Sequence, residues 1–145
     1  MSYAFLVPLT QTEAELALAH SDYARALTLA DEMIAKIHSL GFRPFVPDGL
    51  YLKATVLLAQ GQMGLARPLL EEARMQAEAL GSRRSLWPIL MALSEIEARS
   101  GDAAKAEDLR HQARQIVEYI ASHLDDALRA TFINLPEVRA AVRGE

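Results

Sequence analysis

Four histidines, His20, His38, His111 and His123, are the only imidazoles in the chain. None stands three or four residues from another, the spacing that puts two metal ligands on one helix face. Glu107 and His111 do share such a face, as do Glu107 and Arg110. Two-residue pairs of this kind recur on ordinary helices and do not by themselves hold a metal. Glu71-Glu72 and Asp125-Asp126 are adjacent in sequence. Adjacent side chains diverge on a helix, so neither pair makes the shared carboxylate site that acid–base catalysis needs. No Gly-rich phosphate loop and no G-x-S-x-G elbow occurs. There is no cysteine, which excludes disulfides, thiolate nucleophiles and thiolate-bound zinc. The expectation is a protein with no enzymatic activity, metal or cofactor.

Composition narrows the class further. A chain of 145 residues fits one domain, residues 1–145. A domain of this size buries roughly 70% of its unfolded-chain surface, so a true core is available. Apolar residues make up 51% of the chain, with Ala and Leu dominant and Val, Ile and Thr sparse. That bias favours helix over strand. The net charge of −4 divides as −2, +1 and −3 over residues 1–46, 47–84 and 85–145. Nucleic-acid binding uses a clustered basic face, and none is present. The nearest approach is Arg83-Arg84, which reads as solvated charge in a loop. Residues 3–9 are apolar but short and lack a basic leader, so they do not read as a secretory signal. No apolar run is long enough to span a membrane. A cytoplasmic protein that contacts neither membrane nor nucleic acid is the expectation.

The elements that position these residues follow from a repeat. Leu40-Gly41 recurs as Leu80-Gly81, forty residues on, and Gly61 recurs as Gly101 at the same offset. The position forty before Gly61 is Ser21. Three turns then align, SDYARA from Ser21, GQMGLA from Gly61 and GDAAKA from Gly101. Each repeat reads as two helices, and the clearest copy is Leu50 to Ala73. There the small residues Ala54, Ala66 and Ala73 stand between the large Leu50, Leu57 and Leu70.

The first repeat, about 8–41, predicts helices over 10–20 and 22–40. Asp22 caps the second, and Gly41 stops it in a left-handed conformation. The second, about 47–81, has Pro47 in a first turn, a helix to Gln60, and a partner over 63–80 that Pro68 should bend. In the third, about 85–124, Ser85 is the expected N-cap with Pro88 in the first turn, and Asp102 caps the following helix. Residues 125–142 form a tail opened by Asp125-Asp126 and broken at Asn134-Leu135-Pro136. Its apolar Leu128, Phe132, Ile133, Val138 and Val142 suit a cap over the last repeat, which stacked repeats need for solubility. Phe42, Phe45 and Val46 form an apolar loop cluster that staples adjacent repeats or docks another chain.

This pattern resembles the tetratricopeptide repeat, a pair of antiparallel helices with large and small residues at seven fixed places. The second repeat fills all seven, with Leu50, Ala54, Leu57, Gly61, Ala66, Leu70 and Ala73. The third matches at Leu90, Ser94, Gly101, Ala106 and Ala113, and departs at Glu97 and Arg110. The first matches at Ala14, Ala17 and Ala26, with Thr10, Ala30 and Met33 elsewhere. The closing proline of the family is missing. The forty-residue period exceeds the usual thirty-four. Long repeats of this kind resemble those of large bacterial regulators of the maltose-activator, LuxR and nucleotide-cyclase types. Ala79-Leu80-Gly81-Ser82-Arg83-Arg84 and Phe132…Leu135-Pro136-Glu137-Val138-Arg139 resemble the C-terminal ends of those proteins. The resemblance implies an all-α fold, a right-handed α-solenoid of three helical hairpins with a C-terminal capping helix.

In that family the first helix of each pair lines a concave groove. The resemblance places Gln11, Glu15 and Leu18 there from the first repeat, and Asp48, Tyr51, Thr55 and Leu58 from the second. Met91, Glu95 and Ala98 come from the third, with Arg99 at the edge. Members that clamp a C-terminal carboxylate carry Lys, Arg and Asn at such places, which this chain lacks. A basic or amphipathic protein or peptide partner is the better electrostatic match. The implied function is a non-catalytic interaction or scaffold module from the C-terminal part of a larger bacterial signalling or transcription regulator. Two alternatives are a small-molecule sensor with a pocket lined by Tyr51, Trp87 and Met91, and a self-association module or homodimer formed through Tyr3, Phe5, Leu6 and Val7.

Overall fold

The left-handed turn residues mark out the helices. Ser21, Gly61 and Gly101 have φ of 58°, 76° and 92°. They occupy the equivalent turn in three successive hairpins, so the forty-residue period is a period of backbone conformation. Gly41 and Gly81, at 69° and 65°, follow the second helices of the first two. Ser21 is the one non-glycine with positive φ among the described residues, in a region that costs an L-residue about 1–2 kcal/mol.

The computed structural model describes residues 6–144. Eight α-helices follow one another, with no strand among the described residues. They are α1 (Leu6–Ala19), α2 (Tyr23–Leu40), α3 (Val46–Ala59), α4 (Met63–Leu80), α5 (Arg83–Arg99), α6 (Ala103–Ser122), α7 (Asp126–Ile133) and α8 (Pro136–Arg143). A 3-10 turn, Arg43–Phe45, precedes α3. The fold is all-α. The helices form two compact units that divide between Leu80 and Gly81.

Local chemistry accounts for most of the boundaries. The Asp22 carboxylate accepts from the Arg25 N–H at 3.3 Å, Asp102 from Lys105 at 3.0 Å and Asp125 from Leu128 at 2.8 Å. Each satisfies a backbone donor that the helix leaves free at its start. Pro47 lies in the first turn of α3. Two starts differ from expectation. α1 begins at Leu6 rather than residue 10, because Val7 is buried and extends the apolar face by a turn. α5 begins at Arg83 after an N-cap at Ser82, so Ser85 lies within the helix. Ser85 is buried, and the Ser82 and Ser85 hydroxyls are 3.0 Å apart. Pro88 is therefore interior to α5, and Pro68 is interior to α4, which runs on as one helix.

In the first unit α1 pairs with α2, α3 pairs with α4, α2 packs on α3, and α1 touches α3. Thr10, Ala14, Ala17, Ala26, Ala30 and Met33 are all buried, as are Leu50, Ala54, Leu57, Ala66, Leu70 and Ala73. Each fully buried Met33, Ile37 or Leu70 contributes about 1.5–3 kcal/mol. Gly49 lets α3 approach α2: a β-carbon there would sit 3.1 Å from both Ile34 Cγ1 and Ile37 Cδ1. Phe42 and Phe45 meet edge to face at 6.3 Å and, with Val46, pack on this core. The loop cluster is thus a staple. Lys53 pairs with Asp31 at 2.8 Å, and Lys36 donates to Thr10 Oγ1 at 3.1 Å.

In the second unit α5 pairs with α6, and α8 packs on α6. Ile89, Leu90, Leu93 and Ile96 fill the interior of α5. Val138 and Ala141 of α8 are fully buried with Val117, and Trp87, Met91, Phe132 and Val142 pack around them. Arg129 of α7 donates from Nε to the Ala121 carbonyl and from Nη2 to that of Leu124, both at 2.9 Å. It thereby adds a second donor to the Ala121 carbonyl, which already accepts from the Leu124 N–H, and ties the turn after α6 to α7. In the tail α7 and α8 both contact α6, while Leu128 and Leu135 stay exposed.

Candidate functional site

The residues proposed for the groove lie on α1, α3 and α5, the first helices of their hairpins. On α1, Gln11 is half-buried and its side-chain amide donates to the exposed Glu15 carboxylate at 3.1 Å. Leu18 packs on the core of the first unit. On α3, Asp48, Tyr51, Thr55 and Leu58 are all half-buried, and the Thr55 hydroxyl returns to the Tyr51 carbonyl at 2.9 Å. Because α1 touches α3, these two sets stand on neighbouring helices. Helical spacing explains the division. On each helix the repeat's buried places occupy one stripe, and these residues fall beside it.

The other four, Met91, Glu95, Ala98 and Arg99, belong to α5 in the second unit, and Ala98 is exposed. Glu95 and Arg99 are exposed and form an ion pair one turn apart. Such a surface pair holds two side chains in register and adds little stability. Met91 is half-buried and, like Trp87, packs against the Val117–Val138–Ala141 cluster. These two are partners of α6 and α8. Of the residues proposed for self-association, Val7 is buried, and Tyr3 and Phe5 lie outside the described residues, as does the Leu6 side chain.

The candidate chemical groups remain apart. All four histidines are exposed. Among the described residues no three His, Asp or Glu side chains are grouped to hold a metal ion, and no helix is long and apolar enough to cross a membrane. The Glu107 carboxylate lies 3.8 Å from Arg114 Nη2. Asp125 is used as a helix cap and Asp126 pairs with Arg129. The Nε atoms of Arg110 and Arg114 are buried without a hydrogen-bond partner among the described residues.

Two features escaped sequence reasoning. Leu9 and Leu16 of α1 are each 57% exposed and stand two turns apart on one face. Their signal was available, since both leucines fall outside the repeat's core places. The second is a stack of rings in the second unit. The Arg83 guanidinium lies 4.0 Å from the centre of the Tyr119 ring, whose centre is 4.3 Å from that of His123. No local pattern announces it, because Arg83 and Tyr119 belong to different helices.

Comparison of the chain with known protein families, curated proteins and solved structures gave no match.

Proposed function

We propose that this protein is a non-catalytic interaction module of the tetratricopeptide type, a solenoid of three hairpins that presents a preformed helical surface to a protein or peptide partner. One observation carries the reading. α1 and α3 are neighbours that bury the repeat's core places, while Gln11, Glu15, Asp48, Tyr51, Thr55 and Leu58 retain accessible surface. A surface held by packed helices needs little ordering when it binds, and this favours affinity. Glu15 and Asp48 make it acidic, with Tyr51 as an amphipathic anchor, so a basic or amphipathic helical segment is the matching partner. Membership of a larger bacterial signalling or transcription regulator is the setting that the resemblance to long-period repeats suggests.

The test is selection from a displayed peptide library, followed by direct binding measurements on the wild type and on a Glu15→Lys/Tyr51→Ala variant. Basic or amphipathic sequences should be enriched, and the double variant should bind them at least about tenfold more weakly while still melting cooperatively. Failure to enrich any sequence, or equal binding by the variant, refutes the assignment.

A further inference from the structure

A shallow depression of about 360 Å³ in the second unit is lined by Arg83, Gln112, Gln115, Ile116 and Tyr119. From its composition and geometry we propose that it binds a small monocarboxylate with an apolar body. This goes beyond the peptide-binding reading and does not depend on it.

Arg83 is the key group. Its guanidinium lies over the Tyr119 ring, 4.0 Å from the ring centre, a cation–π contact that restrains the fork at the edge of the depression. Its N–H donors meet no acceptor among the described residues. A fork held in this way is ready for a carboxylate, whose two oxygens it matches in geometry. The Gln115 carboxamide and the Tyr119 hydroxyl also have no hydrogen-bond partner among the described residues, and both residues line the depression. Among the described residues no acidic side chain lines the depression and Arg83 is its one cation, while the Gln112 carboxamide is held by the Asp108 carboxylate at 2.9 Å. A single positive charge balances a carboxylate and leaves a phosphate dianion half compensated. Ile116 and the Tyr119 ring supply apolar surface for the body of the ligand, the mixture typical of small-molecule sites.

The test uses sodium benzoate as the probe, followed by NMR on the full chain, with benzamide, inorganic phosphate and sodium chloride titrated at matched ionic strength. Benzoate should shift the Arg83 Nε–H, Gln115 carboxamide and Tyr119 ring signals saturably. Benzamide and chloride should not, and phosphate should bind more weakly than benzoate. Arg83→Ala should weaken benzoate binding at least about tenfold, and Arg83→Lys, which keeps the charge without the fork, should weaken it less. Arg83 is exposed, so both variants should keep the wild-type amide spectrum away from the depression. Shifts that merely follow ionic strength, tighter binding of phosphate, or benzoate binding unchanged in Arg83→Ala would overturn the proposal.

Discussion

The Glu97 carboxylate of α5 lies 3.2 Å from Lys105 Nζ in the first turn of α6, and it reaches that partner from a core position. Glu97 is 5% exposed, and its counterparts in the other hairpins are Ala17 and Leu57. A charge at a place meant for a large apolar side chain is tolerated because the next helix supplies a cation. Desolvation makes such a pair a poor source of net stability.

Replacing Glu97 by Leu should therefore be neutral or stabilise the fold by up to about 1 kcal/mol, since an apolar side chain suits the site. Lys105→Met should cost about 1–2 kcal/mol, because the buried carboxylate loses a charged partner while its other interactions remain. Urea denaturation of both variants checks the order. A destabilised Glu97→Leu beside a neutral Lys105→Met would contradict it.

Ser21 holds the left-handed conformation that glycine takes at positions 61 and 101. Ser21→Gly should raise stability by up to about 1 kcal/mol, because relief of the φ strain exceeds the added entropy of the unfolded chain. Gly61→Ala should lower it by about 1 kcal/mol, although no atom would meet the new β-carbon within 4 Å. Thermal melts of the two variants should move in opposite directions.

Pro68 is exposed inside α4, where it supplies no donor to the carbonyl one turn before. Pro68→Ala restores that hydrogen bond and loses no core packing. The expected gain is about 1–3 kcal/mol, and calorimetry should show a higher Tm. An unchanged Tm would mean that α4 had already accommodated the ring.

At Gly49 two effects oppose each other. Alanine gains helix propensity but brings its β-carbon to 3.1 Å from Ile34 and Ile37, so Gly49→Ala should be within about 1 kcal/mol of wild type. Gly49→Val has no room to spare and should cost about 1–3 kcal/mol by separating α2 from α3. Equal stability of the two variants would show that this contact is loose.

The sequence by itself determined the helical class, the turns and the buried places. Those signals are local. Asp22, Asp102 and Asp125 cap helices within three residues of themselves, and Gly41, Gly61, Gly81 and Gly101 take conformations that other residues resist. The small and large residues of Leu50–Ala73 are buried because their spacing follows the helical period. Ser82 and Ser85 are both capping residue types, and α5 starts after Ser82 while the buried Ser85 accepts from the Ser82 hydroxyl inside the first turn. Only the tertiary structure decided what depends on two helices meeting. It gave Glu97 its partner on α6, set Met91 and Trp87 against Val117, Val138 and Ala141, and placed Arg83 over Tyr119. Periodicity states which face of a helix turns inward. It carries no information about which side chain of another helix waits there, because that contact forms only when the chain closes on itself.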